Sequence, residues 1–292
     1  MKIASLFSEK TVFSFEIFPP KKTSPIETVY DTLEALQDLK PDFISVTFGA
    51  GGSGNGENTL AIARRLKERY GVLPMAHLPC IHYTKAQIDQ ILEQFRENGI
   101  ENILALRGDR VEGLTPTTDF DHAADLIRYI RSKTGSFDIA GACYPECHPE
   151  APNMDTDIRH LKEKVDAGAS HLITQLFFDN DSFYDFRYRA ARAGVNVPIE
   201  AGIMPVTNRK QIERMVTMCG ASLPRKFTKM VQRFEDNPDA LRDAGIAYAI
   251  DQIVDLVTDG VDGIHLYTMN NPYVARKISE AVSGIIKAAP KC

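Results

Sequence analysis

Apolar residues along this chain follow two alternating rhythms. Short β-rich runs recur at Thr11–Phe18, 43–47 (FISVT), 73–78, 100–106 (IENILAL), 137–143, 171–177 (HLITQLF), 198–203 and 262–267 (GIHLY). Between them the apolar positions return every three or four residues, which predicts helices near 24–39, 57–70, 84–97, 118–133, 155–167, 179–192, 207–218 and 271–287. The first run stops at Pro19-Pro20, and Ser24 stands as an N-cap ahead of Pro25. Further helical material at roughly 223–258 precedes the last strand. Strands that alternate with helices predict a parallel sheet. Eight units of about 36 residues, with no linker between them, favour closure into a (β/α)8 TIM barrel, one domain over residues 1–292 with an extra helical segment before the last strand. The strand count carries that decision, because a doubly wound sheet accommodates roughly five to seven of the same strands.

Composition narrows the partners. Hydrophobic residues at 43% and charged residues at 25% describe a packed globular protein and exclude disordered, collagen-like and coiled-coil classes. With 34 Lys+Arg against 39 Asp+Glu, the net charge of -5 leaves no basic stripe for a phosphate backbone, so no nucleic acid is expected. Apolar stretches such as Ile199–Val206 fall far short of the roughly 18–20 residues a bilayer span needs, and the first residues lack the apolar core of a signal peptide. No membrane partner and a cytoplasmic location follow. Cys80, Cys143, Cys147, Cys219 and Cys292 form an odd, scattered set that suits a reducing compartment and free thiols. Small-molecule chemistry, in a monomer or a homo-oligomer, is what remains.

The strand ends carry that chemistry. Gly49-Ala50-Gly51-Gly52-Ser53-Gly54 matches G-x-G-x-x-G, but the next strand, Leu73-Pro74-Met75-Ala76-His77, supplies no acid for a ribose, and no Lys-Ser or Lys-Thr follows for a phosphate loop. A flexible βα loop beside a ligand, or a plain glycine-rich turn, accounts for it equally. Glu16, between Phe15 and Ile17 at the end of the first strand, is either an exposed strand-end carboxylate or a desolvated one whose raised pKa lets it hold a proton near neutrality. Arg107-Gly108-Asp109 reads as a site or as a salt-bridged turn. Cys143, Cys147 and His148 suggest zinc but lack a fourth ligand, so no metal is expected; the prolines around them instead make a stiff loop that can hold Tyr144 and His148 against a ring. Gln175 either caps a backbone group or reads the edge of a polar heterocycle. Tyr267-Thr268-Met269-Asn270 ends the last strand in the same manner, and five polar or aromatic strand ends out of eight locate one site at one mouth of the barrel.

Taken together, Phe15-Glu16-Ile17-Phe18-Pro19-Pro20, Ala105-Leu106-Arg107-Gly108-Asp109, Tyr144-Pro145-Glu146-Cys147-His148-Pro149-Glu150-Ala151, Lys164-Val165-Asp166-Ala167-Gly168-Ala169, Ile173-Thr174-Gln175-Leu176-Phe177-Phe178 and His265-Leu266-Tyr267-Thr268-Met269-Asn270 closely resemble the methylenetetrahydrofolate reductase family over roughly residues 11–288. The resemblance implies a FAD-containing barrel that passes hydride from NADH or NADPH to 5,10-methylenetetrahydrofolate in ping-pong fashion, for one-carbon and methionine metabolism. It implies Glu16 as general acid for opening the folate imidazolidine ring, Asp109 as the carboxylate near pterin and flavin, and Gln175 and Gln211 as substrate contacts. Thr47, Phe48, Ala50, His77, Arg107, Gly108, Tyr144, His148, Ala151, Asp157, His160 and Lys164 fall where that family lines its flavin, and Thr47 and Asp109 also reach the substrate. The roles make physical sense: anionic Asp109 would stabilise a cationic iminium, a protonated Glu16 would serve as acid, and Arg107 and Lys164 would meet a pyrophosphate.

The chain departs from the family pattern at Asn271, which replaces an arginine, at Met215, which replaces an aromatic, and at His160 and Glu163 near the adenosine end. Two rival readings stand beside this one: an NAD-dependent Rossmann dehydrogenase using Gly49–Gly54, and a non-catalytic flavin- or folate-binding module.

Overall fold

The computed structural model describes residues 1–21, 23–48, 56–110, 113, 115–208, 210–212, 215 and 219–289. Strands β1 (Val12–Ile17), β2 (Phe43–Val46), β3 (Leu73–Pro79), β4 (Asn102–Leu106), β5 (Asp138–Cys143), β6 (His171–Thr174), β7 (Ile199–Ile203) and β8 (Gly263–Tyr267) form a closed barrel in chain order. All neighbours are parallel, and β1 closes on β8 with Val12 opposite Gly263. Closure excludes the doubly wound alternative; the glycine loop 49–54, including Ala50, lies outside the described residues. The run expected at 171–177 is trimmed to His171–Thr174. Gln175 N–H still reaches the Cys143 carbonyl, but Leu176 N–H turns to the Gln175 side chain and leaves the ladder.

The surrounding helices are α1 (Glu27–Leu36), α2 (Gly56–Tyr70), α3 (Lys85–Glu97), α4 (Ala123–Lys133), α5 (Met154–Asp166) and α6 (Asn180–Arg192). After β7, residues 210–212, 215 and 219 are helical, and α7 (Arg225–Phe234) and α8 (Pro238–Thr258) make the extra segment before β8, followed by α9 (Pro272–Ala288). Two expected starts move. Ser24 sits in a turn with its N–H on the Lys21 carbonyl, and α1 begins behind Ile26 with no side-chain cap. Residues 118–121 form no helix, because the Asp119 carboxylate accepts Lys85 N–H at the start of α3, and Asp125 accepts His122 N–H at 2.9 Å to open α4.

Apolar faces of strands and helices meet in a continuous outer layer that includes Phe15, Ile17, Val46, Leu78, Ile103, Ile139 and Leu266. A second cluster closes the amino end of the barrel. There a 3-10 turn, Ile3–Ser8, inserts Ile3, Leu6 and Phe7 against Val12, Phe43, Met75, Leu104, Ala140 and Ile173. Its amides are satisfied from the strand starts: Ile3 N–H donates to Asn102 Oδ1 at 3.0 Å and Ala4 N–H to Asp138 Oδ2 at 2.7 Å. A third cluster, Leu176, Phe178, Met204, Val206, Ile212, Ala221 and Phe227, joins the ends of β6 and β7 to α7. Above the sealed floor the interior is polar: Ser14, Ser45, His171, Glu200 and His265 have no exposed surface. Barrel interiors are usually filled by branched apolar side chains, so this column points to chemistry at the carboxyl mouth. Cys80, Cys143, Cys147 and Cys219 are free thiols. No helix among the described residues is long and apolar enough to cross a membrane.

Candidate active site

Glu16 is the penultimate residue of β1, in register with Ser45 of β2 and Tyr267 of β8. Strand alternation sends Phe15 and Ile17 outward to the helices and Glu16 inward. Its Oε2 lies 3.3 Å from His77 Nε2 and 3.5 Å from His265 Nε2, and it accepts the Ser45 hydroxyl at 3.3 Å. Burial pushes the Glu16 carboxyl up, but the imidazoles of His265 and His77 outweigh burial and bring its pKa down to about 2. This overturns the raised pKa expected from its chain neighbours. Phe15 and Ile17 are apolar but face away, and the groups that surround the carboxyl are imidazoles contributed by β3 and β8. At rest Glu16 is therefore a carboxylate, not a stored acid. Burial lowers the pKa of His265 against the pull of Glu16, which keeps that ring neutral near pH 7.

A second group lies on the β4, β5 and α5 side. Arg107 forks onto Glu150 through Nη1 and Nη2 at 2.5 and 2.8 Å, with Nε on the Gly108 carbonyl at 3.1 Å. Gly108 has φ +88°, and a Cβ there would come within 2.9 Å of the Pro79 side chain, so the turn after β4 needs glycine. Tyr144 and His148 meet edge to face with ring centroids 4.6 Å apart. The loop that carries them is tied down by His148 N–H on Asp157 Oδ2 at 2.9 Å and Ala151 N–H on the His148 carbonyl at 2.8 Å. Burial holds the Tyr144 phenol up at about 12 and lowers His148, so both rings are neutral at pH 7. Lys164 donates to the Ala142 carbonyl, and burial lowers its pKa. Asp157, His160 and Lys164 follow one stripe of α5. His160 is exposed on that stripe and stacks on His122 at 6.2 Å. Asp109 is exposed, near enough to Arg107, Tyr144 and Cys219 to act on their ionisation.

The remaining expected residues are partly committed to the backbone. Thr47 donates its N–H to the Ile17 carbonyl at 3.1 Å and accepts the Thr59 hydroxyl at 2.9 Å, tying β2 to α2. Phe48 is buried beside Tyr83, its ring edge-on at 5.8 Å. Gln175 Oε1 accepts Leu176 N–H at 2.9 Å, which leaves its NH2 as the part able to donate to a ligand. Gln211 Oε1 accepts from Thr207 N–H and hydroxyl, both at 3.2 Å, while Gln211 N–H goes to Asn208 Oδ1 at 2.9 Å, so Gln211 closes the helical turn after β7. Met215 packs on the cluster beneath α7. Asn271 caps α9 by accepting Val274 N–H at 3.2 Å. Ala50 lies outside the described residues.

The mouth thus offers cations in Arg107 and Lys164, two flat neutral rings in Tyr144 and His148, and a buried carboxylate set against the imidazoles of His77 and His265. That donor set fits a flat heterocycle bearing a pyrophosphate. Reading the chain alone missed Ser14, Ser45 and Glu200. The available signal was the polar residue at every second position of β1, Ser14 and Glu16, which implies a polar partner inside the barrel.

The profile of the family described as Methylenetetrahydrofolate reductase matches residues 2–283. A 5,10-methylenetetrahydrofolate reductase of Pectobacterium carotovorum subsp. carotovorum is 40% identical over 258 residues, 88% of this chain and 85% of that protein. The protein of the same description from Escherichia coli (strain K12) is 38% identical over 257 residues, covering 88% and 86%. Methylenetetrahydrofolate reductase (NADH) 1 of Arabidopsis thaliana is 39% identical over 284 residues, 92% of this chain but 48% of the plant protein, so the chain spans about half of that relative. Among solved structures, a Clostridium thermocellum protein described as binding two copies of 5-methyl-5,6,7,8-tetrahydrofolic acid superposes with a TM-score of 0.68 at 16% identity over 97% of each chain. A Coxiella burnetii dihydropteroate synthase in complex with pteroic acid gives 0.51 at 11% identity, over 95% of this chain and 93% of that one. At those identities the likeness is one of fold.

Proposed function

The chain belongs to the methylenetetrahydrofolate reductase family, and from that premise we propose that it reduces 5,10-methylenetetrahydrofolate to 5-methyltetrahydrofolate, with FAD as resident cofactor and NADH or NADPH as reductant. The observation that carries this reading is a buried carboxylate, Glu16, held by two imidazoles at the same mouth as the Arg107, Lys164, Tyr144 and His148 group. When bound, the flavin supplies hydride transfer between nicotinamide and folate.

In this reading Arg107 and Lys164 meet the pyrophosphate, Tyr144 and His148 wall the flat rings, and Thr47, Phe48, Ala50, His77, Gly108, Ala151, Asp157 and His160 line the cofactor. Arg107 then shares its fork with Glu150. The Gln175 NH2 donates to the pterin edge, and Gln211 adds a second contact. Asp109 stabilises the cationic iminium of the opened folate ring. Glu16 delivers the proton that ring opening requires, after taking one from its neighbours. Nicotinamide and folate reach the same ring in turn, which makes the kinetics ping-pong, and one barrel carries both halves.

Anaerobic NADH or NADPH should bleach the flavin of the purified protein, and methylenetetrahydrofolate should restore its colour. Glu16→Gln should leave the nucleotide half-reaction largely intact and slow the folate half-reaction by roughly 10²–10⁴-fold, the usual range for a lost general acid. A colourless protein that refuses FAD, or equal damage to both halves, would refute the assignment.

A further inference from the structure

We propose that Glu200, inside the barrel, is the proton-holding end of a relay through Ser14 and His265 that charges Glu16 when substrate covers the mouth; this rests on the acid role given to Glu16 above. Glu200 lies on β7 with no exposed surface. Its Oε1 is 2.9 Å from Ser14 Oγ, and Ser14 Oγ is 2.6 Å from His265 Nδ1. On the other side of the ring, His265 Nε2 is 3.3 Å from Ser45 Oγ, which donates to Glu16 Oε2 at 3.3 Å.

Counting protons along this chain decides where the spare one sits. The single proton of Ser45 goes to Glu16, so Ser45 accepts from His265 Nε2–H. A neutral His265 protonated at Nε2 has a bare Nδ1, which takes the single proton of Ser14 at the shorter of its contacts; the Ile264 carbonyl, at 3.4 Å, is a weak rival. Ser14 then has nothing to give Glu200, and the Glu200 carboxyl must donate to Ser14. Its surroundings agree. Glu200 Oε2 has no hydrogen-bond partner, and burial pushes the carboxyl well up against the lowering pull of the Ser14 contact, with the negative charges of Asp42 and Asp262 adding to the rise. His171 of β6, another titratable interior side chain, has its pKa lowered by burial to about 4 and offers no positive charge at neutral pH, and His77 of β3 lies at the Glu16 end.

Transfer is a concerted shift. Glu200 gives its proton to Ser14, Ser14 gives its own to His265 Nδ1, His265 Nε2–H passes to Ser45, and Ser45 passes its proton to Glu16. One O–H bond breaks at Glu200 and one forms at Glu16, and His265 changes tautomer. The driving force is the covering of Glu16, whose anion loses its remaining solvation when a ligand seats on the mouth. A solvent proton taken in at the mouth restores Glu200 after each turnover. Ser14 and Glu200 are positioning residues, because neither touches substrate.

The test uses the purified protein and two variants. Glu200→Gln keeps a donor to Ser14 through its amide but has no proton to release, whereas Ser14→Ala cuts the wire and leaves the acid in place. The infrared difference between wild type and Glu200→Gln should contain the carbonyl stretch of a protonated carboxylic acid, retained in Ser14→Ala, and ¹⁵N NMR should place the His265 proton on Nε2. Each variant should slow the folate half-reaction by about tenfold or more relative to the nucleotide half, with no further loss in the double variant. A blank infrared difference, or equal slowing of both halves, overturns the relay. The infrared and NMR signals need neither cofactor nor turnover. A protein that fails to reduce folate but keeps the band refutes the catalytic reading while leaving the proton on Glu200.

Discussion

Glu16 and Glu200 share one hydrogen-bonded column yet shift in opposite directions, and the sign of each shift sets its contribution to stability. Glu16 is depressed to about 2, so its hydrogen bonds with the imidazoles of His265 and His77 stabilise the fold fully above its ordinary value of 4.5 and are lost as pH falls toward 2. Glu200 is raised, so its contribution is present below 4.5 and is lost as pH rises through its folded value. Ser14 of β1 and Gly263 of β8 lie against the Glu200 side chain, and the charges of Asp42 and Asp262 act on it; His265 is reached through Ser14. Glu200→Gln, neutral at every pH, should therefore gain melting temperature relative to wild type as pH is raised from about 5 to about 9. A constant difference across that range would mean that Glu200 titrates ordinarily. At this scale the chain was only half legible. Glu16 could be read from the chain as a carboxyl at the end of the first strand, but its ionisation depends on His77 and His265, which reach it only across the closed barrel.

Loops at the strand ends fix where those side chains stand. Met269 and Asn270 adopt φ of 51° and 54°, left-handed values that Asn tolerates better than most residues. Asn270 uses that bend to clamp the end of β1, accepting Phe18 N–H at 2.9 Å and donating to the Phe18 carbonyl at 2.8 Å. Asn270→Ala removes both bonds and the conformational preference. It should cost about 2–3 kcal/mol in denaturant unfolding and slow turnover through a loosened Glu16. Asn271→Ala, which removes only the cap of α9, should cost about 1 kcal/mol. The departure at Asn271 from the family pattern thus has a local structural role. Element boundaries were largely readable because each strand is a short apolar run stopped by turn residues. The exceptions are informative: Ile3–Ser8 is too short to show a period, and Ser24 gave up its capping position to a turn with Lys21.

For the whole molecule, closure brings eight distant segments to one mouth and leaves the opposite end to be stopped by the first turn of the chain. Phe7 is 2% exposed and lies 5.1 Å from the His171 ring. Phe7→Ala should therefore destabilise the protein by about 3–5 kcal/mol while leaving the flavin binding proposed for the far end unchanged, as thermal melts and cofactor titration would report. The barrel itself could be anticipated from eight repeats, since the count constrains closure. Its polar interior could not, because Ser14, His265 and Glu200 become neighbours only through strand order and register.

The stopper at the amino end has a consequence for timing. In the proposed relay, a column of exchangeable protons stopped at the amino end meets water at the carboxyl mouth, where the proposed reaction seats folate. Once that doorway is filled, the acid for the coming reaction has to be on board already. On that proposal the protein is loaded between substrates rather than during them, like a syringe drawn before the injection.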